Sequence, residues 1–145
     1  MEVFTIGFTQ SNAENFFGRL KSAGIKRLLD VRLNNISQLA GFAKRDALAF
    51  FLSELCGAEY CHEKLLAPTP ELLNDYKKQD IGWDEYECRF WALMAERRIE
   101  EKFCHESFTV PTVLLCSEAS AEQCHRRLVL EYLQRQGGKF VITHL

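Results

Sequence analysis

Groups that can carry out chemistry are concentrated in one short stretch of the chain, which contains Cys116, Glu118, Cys124, His125 and Arg126. A thiol beside an imidazole can act as a nucleophile or as a redox group. A carboxylate can transfer protons, and a guanidinium binds phosphate or carboxylate through paired hydrogen bonds. These residue types predict a site for acid–base or thiol chemistry on an anionic molecule.

The pattern around this stretch predicts a strand followed by a helix. Residues 112–116 form a short apolar run with β-branched members, which is typical of a buried strand. Ser120 and Gln123 have the spacing of a capping box ahead of an apolar periodic run, so we expect the helix to begin near Ser120. Cys124 would then lie in or just after the first helical turn, where we expect the pKa of its thiol to be lowered.

The rest of the chain alternates short apolar runs with helical periodicity. The expected order is β-α-β-α-(β)-α-α-β-α-β, with one long amphipathic helix over residues 84–103. Such alternation is typical of an α/β fold with a mainly parallel sheet and helices on both faces. The sequence therefore predicts a single domain over residues 1–145 with a Rossmann-like three-layer arrangement.

Residues of functional interest also follow two other predicted strands. Gly7 and Thr9 follow the first, and Asp30 and Arg32 close the second. Because the carboxyl ends of parallel strands share one edge of the sheet, we expect these four residues to meet the segment that begins at Cys116. Gly7 permits close backbone approach to a ligand, and Arg32 offers a fork for an anion. Two simpler interpretations stay open, a tight turn at Gly7 and an internal Asp30–Arg32 ion pair.

Composition narrows the classes of function. The chain has 145 residues, 47% of them apolar, and a formal net charge of −2, so bulk charge favours neither nucleic acid nor an anionic membrane. No apolar run approaches the ~20 residues that span a bilayer. The N-terminus lacks a basic region followed by an apolar core, so we expect no signal peptide. Six cysteines without an export signal favour reduced thiols and a cytoplasmic protein.

Three Cys-His dipeptides bear on metal binding. They are Cys61-His62, Cys104-His105 and Cys124-His125. Zinc binds these side chains, but neighbouring residues on one element point apart and no Cys-x₂-Cys occurs. The sequence therefore predicts no metal site, while a metal-binding or thiol redox role remains as an alternative hypothesis.

Several motifs together carry a resemblance to a known family. The motifs are Thr5-Ile6-Gly7, Asp30-Val31-Arg32, Tyr60 with His62, Leu114-Leu115-Cys116-Ser117-Glu118, Cys124-His125-Arg126 and His144-Leu145. They resemble the DUF488 family of bacterial and archaeal proteins, over nearly the whole chain. The first motif usually reads Thr-Ile-Gly-His-Ser in that family, whereas this chain has Phe8 and Thr9, which keeps the hydroxyl but not the imidazole. Tyr60 and His62 are expected to line the same cleft.

These observations lead to three hypotheses about function. The first is an enzyme that acts on a phosphate-bearing, nucleotide or nucleic-acid substrate, held by Arg32 and Arg126. Its catalytic groups would be Cys124, His125 and Glu118, with Cys116 nearby. The second is a non-catalytic module that senses a nucleotide or nucleic acid in the same pocket, and the third is the thiol redox or metal-binding role. The expected partner is an anionic small molecule or nucleotide and not a membrane; no cofactor and no oligomeric state follow from the sequence.

Overall fold

A five-stranded, all-parallel sheet forms the centre of the computed structural model, which describes residues 1–35, 41–103, 105–118 and 121–145. The strands are β1 (Glu2–Gly7), β2 (Arg27–Asp30), β3 (Glu59–His62), β4 (Thr112–Cys116) and β5 (Val141–His144). Their order across the sheet is β3-β2-β4-β1-β5. The prediction of a mainly parallel sheet is confirmed.

Helices cover both faces of this sheet. They are α1 (Ala13–Ser22), α2 (Arg45–Phe51), α3 (Pro70–Lys77), α4 (Trp83–Arg97), α5 (Ile99–Lys102) and α6 (His125–Arg135). Side chains of α1 and α2 pack with one face of the sheet in one apolar core, and those of α3, α4 and α6 pack with the other face in a second core. The three-layer arrangement is therefore confirmed. Within the described ranges, no helix has the length and apolar character needed to cross a lipid bilayer.

The two cores explain where the side chains of the central strand point. Successive residues of a strand face opposite sides of the sheet. Val113 and Leu115 belong to the core beneath α1 and α2, whereas Leu114 and Cys116 belong to the core beneath α4 and α6. Cys116 therefore faces the side of the sheet on which α6 begins.

The register of the sheet aligns the carboxyl ends of its strands. Gly7 of β1 pairs with Cys116 of β4, and Asp30 of β2 pairs with Leu115. His62 of β3 in turn pairs with Asp30. The three predicted motifs thus end at one edge of the sheet, as the sequence pattern indicated.

Capping side chains set the start of two helices. The Asn12 side chain accepts a hydrogen bond from the backbone N–H of Asn15 at 2.7 Å, and the Thr69 hydroxyl accepts from Leu72 at 3.1 Å. Each bond satisfies an N–H group that has no partner within its helix. Pro70, at the first position of α3, has no N–H to satisfy.

The prediction of one helix over residues 84–103 is wrong, because the chain changes direction at Arg98. This residue adopts left-handed backbone angles, with φ 53° and ψ 50°, between α4 and α5. A left-handed residue interrupts the regular hydrogen bonds of a helix, although it leaves the apolar pattern intact. Periodicity alone therefore joined two helices into one.

The expected start of α6 near Ser120 is also wrong. The helix begins at His125, and Ser120 lies outside the described residues. Cys124 is the N-cap residue, with extended backbone angles of φ −139° and ψ 139°. The last extended position before α6 is therefore Cys124, and the first two helical positions are His125 and Arg126.

Candidate active site at the carboxyl edge of the sheet

A cavity of about 320 Å³ lies at the carboxyl edge of the sheet, between the end of β4 and the helices α3, α4 and α6. Its volume falls in the range of sites for small molecules. Six residues that the sequence singled out line it, namely Thr9, Arg32, Cys116, Glu118, Cys124 and His125. The structure therefore brings Arg32 together with the Cys124-His125 pair, as the predicted pocket required.

The remaining predicted site residues lie beneath or beside this cavity. They are Gly7, Asp30, Tyr60, His62 and Arg126, none of which is part of the described cavity wall. Their contacts, given below, connect them to residues that do line the cavity.

Cys116 and His125 form the centre of the cavity floor. The Cys116 Sγ atom lies 3.5 Å from His125 Nδ1, and His125 Nε2 lies 2.6 Å from the Val31 carbonyl oxygen. A carbonyl oxygen only accepts hydrogen bonds, so the short contact assigns the ring proton to Nε2. The lone pair is then on the other ring nitrogen, Nδ1. Cys116 Sγ lies beside the ring at similar distances from both nitrogens, 3.5 Å from Nδ1 and 3.9 Å from Nε2.

Cys116 and Cys124 have opposite pKa shifts. The pKa of Cys116 is lowered by a hydrogen bond with Cys124, by the positive charge of Arg126 and by the backbone N–H groups of Glu118 and Ser117, which together outweigh burial. The pKa of Cys124 is raised well above its usual value by burial and by Cys116. The expectation of a lowered pKa at Cys124 is therefore wrong. The stabilising donors converge on the strand end rather than on the helix start.

Arg126 supports the cavity floor from below. Its guanidinium is 1% exposed, and Nη1 donates to the Glu118 carbonyl oxygen. Gly7 lies against the same carbonyl, and a Cβ added at Gly7 would overlap the Glu118 oxygen. The absence of a side chain at Gly7 thus lets the chain after β4 pass close over β1. Arg127 is instead partly exposed; it lies 3.6 Å from Glu131, and its guanidinium is 6.0 Å from the centroid of the Trp83 ring.

Asp30 and Arg32 form a buried ion pair at the side of the cavity. Arg32 donates from Nε and Nη2 to the two Asp30 oxygens at 2.8 and 2.7 Å, and Nη2 also donates to the Ala43 carbonyl at 2.7 Å. The guanidinium lies over the Phe8 ring, 5.3 Å from its centroid. Exposed fractions of 0% for Asp30 and 3% for Arg32 show that this bidentate pair is closed to solvent.

Tyr60 and His62 extend that ion pair into a hydrogen-bond network. The Tyr60 hydroxyl donates to Asp30 Oδ2 at 2.6 Å, and Asn35 Nδ2 lies 3.0 Å from the Tyr60 oxygen and 3.1 Å from His62 Nδ1. His62 Nε2 lies 2.8 Å from the Arg32 carbonyl. Burial and the Asp30 carboxylate hold the pKa of Tyr60 well above its usual range. Both residues therefore brace the strand ends.

Aromatic residues form another part of the cavity wall, and sequence reasoning assigned them no role in the site. Tyr76, Trp83 and Tyr86 line the cavity together with Lys77. The Trp83 and Tyr86 rings are stacked, with centroids 5.2 Å apart and planes 19° from parallel, and Tyr76 packs against both. The separation of Trp83 and Tyr86 by three residues places them on one helix face. That spacing was the feature of the sequence that could have identified these two rings as neighbours.

The fold is a three-layer parallel α/β arrangement, and a cavity lies at the carboxyl edge of its sheet. The family model described as a domain of unknown function, DUF488, matches residues 12–133, and the chain belongs to this family. The resemblance seen in the motifs is thereby confirmed. Searches among curated proteins and among solved structures gave no significant match.

Proposed function

We propose that this protein is an enzyme that acts on a nucleotide-type substrate, a molecule with a flat ring and an anionic group. One observation carries the proposal: a single cavity combines a wall of aromatic rings with thiol, imidazole and carboxylate groups. Aromatic walls bind planar rings, and the reactive groups of the same cavity could then act on the bound ring or its substituents.

The flat ring of the substrate is held by the aromatic wall of Tyr76, Trp83 and Tyr86. Stacking on aromatic side chains contributes about 1–3 kcal/mol per base where nucleic-acid bases are bound in this way. It tolerates different bases, because every base has a π face. Polar groups elsewhere in the cavity, such as the Thr9 hydroxyl, would then determine which ring is preferred.

The anionic group of the substrate is directed to Lys77, which lines the cavity wall, because the charge of Arg32 is already balanced by Asp30. Lys77 is exposed and can move to meet a phosphate, whereas Arg32 is held in place by Asp30. Arg126 acts indirectly in this arrangement, because its contact with the Glu118 carbonyl holds the loop that carries the reactive groups.

The reactive groups divide into a buried set and an exposed one. Cys116, Cys124 and His125 are buried in the cavity floor, and Glu118 is an exposed carboxylate on the same wall. A carboxylate in that position can take up and return a proton during a reaction. The proposal therefore assigns proton transfer to Glu118 and the bond-changing step to the cavity floor.

Tryptophan fluorescence tests the binding part of the proposal. The chain has two tryptophans, and Trp91 lies away from the cavity, where its Nε1 donates to the Leu128 carbonyl at 3.0 Å. In a Trp91→Phe variant, Trp83 is the only tryptophan, and nucleoside monophosphates should quench its emission. The matched Trp83→Phe variant should show no quenching. Absence of quenching in Trp91→Phe, or equal quenching in both variants, would overturn the proposed substrate class.

Mass spectrometry separates an enzyme from a non-catalytic sensor. Each nucleotide that quenches Trp83 is incubated with the wild-type protein, and the small molecules are then analysed. An enzyme yields a product of changed mass, at a rate that falls in Glu118→Gln while quenching persists. A sensor leaves every bound nucleotide unchanged, and that result would replace the enzyme with a binding module that uses the same cavity.

A further inference from the structure

Three metal-binding side chains converge on the cavity floor. The thiols of Cys116 and Cys124 and one ring nitrogen of His125 all lie within 4.8 Å of one another, and all three residues are buried. They come from two elements, the end of β4 and the start of α6. The spacing of these residues in the sequence did not predict the set, because only the folded chain brings Cys116 close to the Cys124-His125 dipeptide.

The His125 ring already makes a hydrogen bond of the kind that histidine ligands make. Its Nε2 atom lies 2.6 Å from the Val31 carbonyl, which fixes the proton on that nitrogen and leaves the lone pair on Nδ1. Metal-binding histidines usually donate their other N–H to a carbonyl or carboxylate in this way, which fixes both tautomer and ring orientation. The contact thus supplies the outer hydrogen bond that a histidine ligand needs.

The distances also fit a tetrahedral ion. Zinc–sulfur and zinc–nitrogen bonds of about 2.3 and 2.0–2.1 Å place the sulfur and nitrogen ligands of a tetrahedron about 3.5 Å apart. The separation between Cys116 Sγ and His125 Nδ1 is 3.5 Å. Cys124 Sγ lies within the 4.8 Å limit of the set. A shift of this thiol, together with a rotation of the His125 ring that turns the Nδ1 lone pair towards Cys116, would complete three corners.

We propose that Cys116, Cys124 and His125 bind one zinc ion, with its fourth coordination position open to the cavity. All three residues line the cavity, so a small molecule can reach that position. Two thiolates and a neutral imidazole would balance the double positive charge of the ion. Thiolate and imidazole ligands suit zinc and disfavour magnesium and calcium, which bind through oxygen.

With this ion, the proposed enzyme would catalyse hydrolysis. This part of the inference rests on the nucleotide-type substrate proposed above. Zinc with an open position binds water and lowers its pKa to near neutrality. Glu118, two residues after Cys116 on the cavity wall, would take the proton from that water. Hydroxide would then add to an electrophilic carbon of the substrate, the bond to the leaving group would break, and Glu118 would pass its proton to that group.

Metal analysis tests the site without any substrate. Purified protein is stripped with a chelator, incubated with zinc or Co²⁺, desalted and analysed for metal content and visible absorption. We expect one ion per chain and the intense visible bands of tetrahedral Co²⁺ with thiolate ligands. Cys116→Ser, Cys124→Ser and His125→Ala should each lower zinc affinity by about tenfold or more. The exposed Cys88 provides the matched control, and Cys88→Ser should keep full binding.

Cysteine alkylation of the wild-type protein keeps the test decisive if a variant fails to fold. Zinc should slow alkylation of Cys116 and Cys124 and leave that of Cys88 unchanged, as mapped by peptide mass spectrometry. Substoichiometric metal after reconstitution, or equal alkylation of Cys116 and Cys124 with and without zinc, would overturn the metal site. Quenching of Trp83 by nucleotides in chelator-treated protein would at the same time retain the proposed substrate class, so the two failures are distinguishable.

Discussion

Two polar clusters lie side by side at the carboxyl edge of this sheet, and they differ in how their groups are used. In the cluster around Asp30 and Arg32, called the closed cluster below, charged and polar groups form hydrogen bonds with one another and are closed to solvent. In the cluster around Cys116 and His125, called the open cluster below, sulfur and nitrogen atoms that could bind a metal ion converge beside a cavity. Both contain residues that the sequence marked as candidates. The comparison shows that a charged residue at a strand end can serve structure or chemistry, depending on whether its partners lie inside the protein.

The largest expected effect is on stability, in the closed cluster. Asp30→Asn removes the charge that balances the buried Arg32 guanidinium, and loss of one partner of a buried pair typically costs about 3–5 kcal/mol. Urea unfolding would measure this loss. Asp46→Asn is the matched control, because Asp46 and its partner Arg45 are 90% and 55% exposed in their side chains, and it should cost less than about 1 kcal/mol. A loss below about 1 kcal/mol in Asp30→Asn would show that the cluster is not a structural brace.

Gly7→Ala should disturb the open cluster through its supporting backbone. The added Cβ would overlap the Glu118 carbonyl, so the loop after β4 must shift, at a typical overpacking cost of about 1–3 kcal/mol. Nucleotide quenching of Trp83 in the Trp91→Phe background should weaken as well. Gly18→Ala, in α1, meets open space and should raise stability by up to about 1 kcal/mol. Similar changes in both variants would contradict the close approach at Gly7.

The Tyr60→Phe variant tests the closed cluster through the pH dependence of its stability. The Tyr60 hydroxyl donates to the Asp30 carboxylate, and a hydrogen bond to a charged group contributes about 1.5–3 kcal/mol. Because the pKa of Tyr60 is raised in the folded protein, this stabilisation is complete below the unfolded value of about 10 and is lost as the pH rises through the folded pKa. The stability difference between wild type and Tyr60→Phe should therefore shrink above about pH 10. A difference that is constant with pH in urea unfolding would reject this role.

The smallest effect on stability is expected at the exposed carboxylate of the open cluster. Glu118→Gln should change the free energy of unfolding by less than about 0.5 kcal/mol, as is usual for surface substitutions. Product formation should fall about a hundredfold or more, since general acid–base catalysis contributes that much. Glu85→Gln, an exposed change at the start of α4 away from the cavity wall, should alter neither quantity. Unchanged product formation in Glu118→Gln would remove the proposed proton transfer.

Much of the fold could be predicted from the sequence, because its determinants are local. The apolar run of β4 predicted that strand with the bounds that the structure has. Alternation of strand and helix patterns was enough to predict the parallel sheet, and the shared strand edge followed from it. The family also followed from short motifs. The failures, at Arg98 and at the start of α6, concern local backbone conformation, which apolar periodicity does not report.

The amino-acid sequence by itself determined the residue types at the candidate site and the sheet edge at which they meet. Only the tertiary structure decided their roles. It tied Arg32 to Asp30, placed the thiol of lowered pKa at Cys116 rather than Cys124, and brought aromatic residues of α3 and α4 into the wall of the same cavity. The physical reason is that a side chain's charge state, burial and hydrogen bonds depend on partners from distant segments, such as the Val31 carbonyl that orients His125.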